Sequence, residues 1–176
     1  MLTRNALQIH LGEKFNQLDQ VVKNAHIGTV HLRGHIAVVR GNMFANILCN
    51  LLGMPADGSR VLNTVIGHHY PETMYWERTF NGHAFNSRFT LKGRHLMESI
   101  GPLRLFLFGE VEEGALVYQL SHVKIFGISL PKFIAPSLHA SERECSGKYQ
   151  FCIKTSLPFI GLLIQYAGVI DLVDKP

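Results

Sequence analysis

Long apolar runs are missing from this 176-residue chain. The most apolar stretch, 157–170, is interrupted by Pro158, Gly161, Gln165 and Gly168. A membrane-spanning helix needs about 20 consecutive apolar residues, so a buried pair of strands is the better reading. No secretory leader is expected, because polar residues follow Arg4 and break the apolar run of 1–10. Cysteine is scarce: Cys49, Cys145 and Cys152, none in CxxC spacing. So odd and sparse a set argues against a disulfide framework and fits a reducing compartment, which makes a cytoplasmic location the expectation. Cys145 and Cys152 flank the predicted turn Ser146-Gly147-Lys148 on adjacent strands, where a bridge is geometrically allowed but not expected. Runs of Lys or Arg are absent too. The 17 basic and 13 acidic side chains leave a net charge of +4, spread singly. That reads as a mildly basic solvated surface and makes a nucleic-acid partner unlikely by composition.

Several chemical signatures are also lacking. The segment 51–58 has neither the lysine of a phosphate-binding loop nor dinucleotide spacing, so no nucleotide cofactor is implied. No G-x-S-x-G or Cys/His signature marks a nucleophile, and no catalytic set is assigned. Ten histidines is a high count, but no H-x-H or H-E-x-x-H occurs. His31 and His35 share a strand face roughly 13 Å apart at strand rise, too far for one ion. His68 and His69 point to opposite faces. No metal is expected.

The chain is rich in material for a core: 47% of residues are hydrophobic and 10% aromatic, which excludes wholesale disorder. One domain, 1–176, is expected from this length. Leu7, Leu11, Phe15, Leu18 and Val22 recur at helical spacing and predict an N-terminal helix ending near 24–28. Thr29 to Val39 alternates, with Val30, Leu32, Ile36 and Val38 on one face and His31, Arg33 and His35 on the other, as in a half-buried strand. Phe44, Ile47, Leu48, Leu51 and Leu52 predict a second, short helix that stops at Gly53-Met54-Pro55.

From Arg60 onward, apolar segments are punctuated by turn residues. Strands are predicted at 60–69, 73–80, 83–91, 94–100, 103–110, 115–123, 138–146, 148–155 and 162–171. Asn81-Gly82 between alternating segments is a strong hairpin signal. The fold class is mainly β (α+β): a curved antiparallel meander, or a lipocalin-like barrel, with an N-terminal helix and a second short helix. The lack of helices between strands excludes a parallel doubly wound sheet.

Trp76, Arg78 and Phe80 share a strand face at period two, and across the turn come Phe85, Ser87 and Phe89, then Leu96 and Glu98. An arginine and a glutamate among aromatics are costly to bury singly and tolerable as a pair. They suit a polar anchor inside an apolar cavity, although a structural ion pair is the commoner outcome. Tyr118, His122, Glu142, Glu144, Tyr149 and Tyr166 supply further polar tips. Glu142 and Glu144 share a face, which serves acid/base work if one is desolvated and otherwise marks a solvated surface. The candidate ligand-binding set is Trp76, Arg78, Ser87, Glu98, Tyr118, Glu142 and Tyr166.

A family pattern joins these positions. It runs through Arg40-Gly41, Leu52-Gly53-Met54-Pro55, Trp76-x-Arg78-x-Phe80-x-Gly82, Phe85-x-Ser87, Glu98-x-x-Gly101 and Gly127-x-x-Leu130-Pro131. Pro136, Glu142, Gly147-x-x-x-Phe151, Leu157-Pro158-x-x-Gly161 and Tyr166-x-Gly168 complete it. The chain resembles the bacterial domain-of-unknown-function family 4166. Similar domains occur alone or fused behind saccharopine-dehydrogenase-like domains or membrane segments. The resemblance implies a stand-alone copy and transfers candidate positions, Arg78, Ser87, Glu98, Glu142 and Tyr166, without an activity.

Three functions follow as expectations. The first is a non-catalytic domain that binds a small hydrophobic or lipid-like ligand in the barrel. The second is an accessory module that meets a partner enzyme or membrane protein through 130–136, where prolines prevent regular strand pairing. The third is an enzyme in which Glu98 acts as base and Arg78 binds an anionic group.

Overall fold

The computed structural model describes residues 4–173; the expected single domain and the leader reading also include 1–3 and 174–176, which lie outside the described residues. Three short helices and a 3-10 turn accompany twelve strands. In chain order these are α1 (Ala6–Leu11), the 3-10 turn Gly12–Gln17, α2 (Gln20–Ala25), β1 (Thr29–Arg40), α3 (Met43–Leu51), β2 (Gly58–Tyr70), β3 (Thr73–Phe80), β4 (His83–Ala84) and β5 (Ser87–Lys92). There follow β6 (His95–Ile100), β7 (Leu103–Glu112), β8 (Ala115–Ile125), β9 (Ile128–Ser129), β10 (Ser137–Cys145), β11 (Lys148–Leu157) and β12 (Gly161–Val173).

The sheet closes. Strands follow the order β10-β11-β12-β1-β2-β3-β5-β6-β7-β8, and a last antiparallel pairing of β8 with β10 joins the two edges into a 10-stranded barrel. Closure leaves no unpaired edge in the ring, so the backbone donors and acceptors of its strands need no cover. Hairpins make most of the connections. Asn81-Gly82, Glu113-Gly114 and Ser146-Gly147 all take positive φ at both turn positions, the geometry that matches strand twist in two-residue hairpins.

Inside the wall, alternation sorts the side chains as the sequence predicts. Val30, Leu32, Ile36 and Val38 are buried, as are Trp76 and Phe80 of β3 and Phe89 of β5. Glycine admits close approach where strands are squeezed together. A Cβ on Gly168 would lie 2.5 Å from Ile36 Cγ2, and one on Gly34 would lie 2.6 Å from Ile170 Cγ2.

The expected N-terminal helix is three pieces. Gly12 takes φ +57 and Leu18 is extended, which ends one segment and starts the next. Leu7, Leu11, Phe15, Leu18 and Val22 are nevertheless all buried. Their spacing reports which side faces the core, while glycine decides continuity. Asn5 caps α1 with a reciprocal box: its side chain accepts from Gln8 N–H at 3.0 Å and its N–H donates to Gln8 at 3.0 Å.

The predicted strand 83–91 is two strands. At the gap, the Arg78 N–H donates to the Asn86 side-chain oxygen at 3.1 Å, a side chain standing in for a ladder carbonyl. The second helix exists, but it packs through Ala45 and Cys49, while Phe44, Ile47 and Leu51 face outward. Its C-terminal loop is clamped by Arg40, whose guanidinium donates to Pro55 O, Asn50 Oδ1 and Met54 O. All three cysteines are free. Cys145 pairs in register with Lys148, and Cys152 with Ser141, so the two thiols do not face each other.

The antiparallel registers assign every connection to one of two ends. The α1–α2 plug lies at one end with the turns 71–72, 93–94, 113–114 and 146–147. At the other end are α3, the turns 81–82, 101–102 and 158–160, and the segment 126–136. Among the described residues no helix is long and apolar enough to cross a membrane.

Candidate functional site

A cavity of about 220 Å³ runs down the barrel axis. Toward the α3 end its wall is apolar, with Leu48, Leu52, Leu103, Ile125, Leu130 and Leu157 among the lining residues. Farther in, the wall turns polar. Arg78 from β3, Glu98 from β6 and Glu142 from β10 line it together with Tyr118, Tyr149 and Tyr166. Closing the ring completes this wall: Arg78 and Glu98 stand two strands apart on either side of β5, and the pairing of β8 with β10 sets Glu142 of β10 beside the strand that carries Tyr118.

Arg78 Nη2 stands 3.7 Å from Glu98 Oε1, with side-chain exposures of 16% and 12%. That separation is an ion-pair contact, too long for a hydrogen bond. Arg78 Nη1 has no hydrogen-bond partner. The guanidinium lies 5.8 Å from the Trp76 ring centroid, which contributes a cation–π attraction. Burial pushes the Glu98 carboxyl above the ordinary carboxylate range, and Arg78 pulls it part of the way back. Burial also lifts Tyr166 to about 12 and Tyr118 and Tyr149 well above the usual phenol range. These three hydroxyls therefore remain neutral donors at physiological pH.

Glu142 closes the inner end. Its Oε2 lies 3.2 Å from Nε2 of His26, a fully buried ring at the end of α2. His26 Nδ1 is 2.9 Å from Val22 O and donates to it. His26 and His69 pack against the Trp76 ring, with centroids 5.4 and 5.2 Å away. His69 Nε2 donates to Ala25 O at 2.9 Å. Two histidines thus tie the lining residues Glu142 and Trp76 to the N-terminal plug.

Six of the seven candidate residues, Trp76, Arg78, Glu98, Tyr118, Glu142 and Tyr166, line this one cavity. Ser87 does not line it; it is buried opposite Trp76 in register, with its hydroxyl unpartnered. Glu142 and Glu144 do not form a working pair. Glu144 is exposed beyond the inner wall and accepts from Val21 N–H at the start of α2. His122 lies outside the cavity and stacks on Phe106 at 4.1 Å. Sequence reasoning missed His26 and His69, which stand behind the lining residues Glu142 and Trp76. Their partners lie 116 and 44 residues away in the chain, and no spacing rule marks such contacts. Among the described residues no three metal-binding side chains come together.

The family model described as "Domain of unknown function (DUF4166)" matches residues 20–170, and the chain belongs to that family. No curated protein matches the chain.

Proposed function

We propose that this member of the DUF4166 family binds one small amphipathic ligand inside its barrel, in the manner of a lipocalin, and does not transform it. The observation that carries this reading is a cavity with an apolar outer wall and a charged inner end. Ligand sites are typically concave and mostly apolar, with a few placed polar groups that fix orientation. The apolar body of the ligand lies among the leucines, and its head reaches Arg78. Arg78 Nη1 lacks a partner, and the neutral hydroxyls of Tyr118, Tyr149 and Tyr166 add further donors on the same wall. The favoured head group therefore accepts hydrogen bonds, a carboxylate being the simplest. Three free thiols suit a reducing, cytoplasmic setting for such a carrier.

Decanoate tests the reading. Titrated calorimetrically, it is expected to bind the wild-type chain and to bind Arg78→Met about tenfold more weakly or worse, since a charge-assisted hydrogen bond contributes about 1.5–3 kcal/mol. Native mass spectrometry should show one ligand per chain. Failure of decanoate and of longer or shorter carboxylates to bind, with no co-purifying ligand, would remove the carrier reading.

A second reading is enzymatic. The raised carboxyl of Glu98 beside Arg78 suits proton transfer to or from a bound anionic substrate. Under that reading a bound ligand turns over and Glu98→Gln abolishes the turnover without abolishing binding. An unchanged ligand recovered after long incubation counts against it.

A further inference from the structure

We propose that the α3 end of the barrel seats on an anionic phospholipid surface. The most exposed apolar side chains gather at that end. Phe159 is 95% exposed, Phe126 82%, Leu51 78% and Phe133 70%, and Phe44 and Ile47 are exposed beside them. These six come from three separate segments: α3, the stretch 126–136 and the turn 158–160. The strand registers bring all three to the same end, and Asn42 at the start of α3 donates to Ile160 O of the last. On α3 the outward residues Phe44, Ile47 and Leu51 form one apolar face turned away from the core, as in helices that lie in a membrane interface.

Backbone conformation adds an independent observation. Phe126 and Phe159 hold φ of +48 and +66. Bulky side chains rarely adopt such values, which favour glycine and asparagine. At the opposite end the hairpins Glu113-Gly114 and Ser146-Gly147 place polar residues at the equivalent positive-φ position. Two phenylalanines thus stand at locally unfavourable, exposed tips on one end only. Strain at such positions points to a role outside local folding.

Charge selects the occupant. The segments 41–57, 81–86, 101–102, 126–136 and 158–160 contain one carboxylate, Asp57, and it already accepts from Arg40 N–H. Lys132 stands within this rim, and Arg60, Arg104, Lys124 and Lys154 occupy the adjoining strand ends, exposed or half-exposed. The opposite end mixes Arg4, Glu13, Lys14, Asp19 and Lys23 with Glu72 and Glu113. Apolar prongs ringed by cations, with Asp57 and Glu77 as the carboxylates nearby, complement a bilayer whose surface is anionic and whose interior is hydrocarbon. Separate tips also suit a deformable surface better than a rigid groove. The same end carries the apolar mouth of the cavity, so a chain seated there exchanges an amphipathic ligand with the bilayer without passing it through water. That last step rests on the carrier reading; the seating itself does not.

Co-sedimentation of the full chain with vesicles tests the proposal. Wild type is expected in the pellet with phosphatidylglycerol/phosphatidylcholine vesicles, with much less bound to phosphatidylcholine alone and release at high salt. The double variant Phe126→Gly/Phe159→Gly, whose new residues suit both backbone positions, is expected to partition about tenfold less or worse. Ile27→Ser, at the plug end, is expected to partition as wild type. Four results would each overturn the proposal: no pelleting with anionic vesicles, equal pelleting of the double variant, equal pelleting on neutral vesicles, or a dimer by light scattering that the double variant abolishes. Two variants separate seating from ligand binding. Arg78→Met is expected to lose decanoate binding while still pelleting, and the double variant to keep decanoate binding while failing to pellet.

Discussion

His69 illustrates how one buried ring links acidity to stability. Burial, and then the neighbouring His26, lower its pKa from 6.5 to about 3. A depressed folded-state value means that the unfolded chain binds the proton first. The corresponding stability is present above pH 6.5 and is lost as the pH falls toward 3. The expected loss across that window is ~2–4 kcal/mol, read as a falling urea midpoint. His69→Gln, which keeps a donor for Ala25 O, should flatten the slope; an unchanged slope would remove His69 as its source. Glycine makes the other residue-scale case. A methyl on Gly168 meets Ile36 Cγ2 at 2.5 Å and Ile36 Cα at 3.1 Å, so Gly168→Ala should destabilise by roughly 1–3 kcal/mol through overpacking. A thermal melt that does not move would contradict the close approach.

At the scale of elements, the periodic segments are the readable ones. Alternation in 73–80 is enough to place Trp76, Arg78 and Phe80 on one face of a strand, because a period of two is a local property of the chain. Burial of the five helix-spaced residues from Leu7 to Val22 is legible for the same reason, whereas the break at Gly12 is not, since glycine inside a helical pattern is often tolerated. Helix α3 misleads in a different way. Its apolar residues mark a helix correctly, but the same pattern describes a face turned to a core and a face turned to a membrane or partner. The two tip phenylalanines yield a prediction here. Phe126→Gly relieves an unfavourable φ worth about 1–2 kcal/mol and adds about 0.5–1 kcal/mol of chain entropy to the unfolded state. The net expectation is a gain of roughly 0.5–1 kcal/mol in stability by denaturant titration, together with weaker vesicle binding. A loss of stability instead would mean that Phe126 packs against something and is not a free tip.

At the scale of the whole molecule, closure is the step that local patterns leave open. The meander is legible strand by strand, but pairing of β8 with β10 joins Leu116 to Glu142 and Gln119 to His139 across the long 126–136 connection, with no hairpin turn to announce it. Closure turns a set of polar tips on separate strands into one inner wall. It explains why Arg78, Glu98 and Glu142, and an apolar cavity around them, are recognisable as candidates from the sequence while the closing of that cavity, and the two histidines behind its wall, are not. It also gives the barrel its polarity. One end is plugged by α1 and α2, the other carries apolar tips, and the charged residues of the cavity lie nearer the plug. Under the carrier reading, an amphipathic guest enters head first and leaves its tail toward the mouth.

The most direct test of that orientation is a crystal structure of the chain soaked with decanoate. The account predicts density within the barrel, with the carboxylate within hydrogen-bond distance of Arg78 and the alkyl chain directed toward Leu48 and Leu130. A barrel interior filled by its own side chains, or a decanoate lying with its carboxylate at the α3 end, would contradict it.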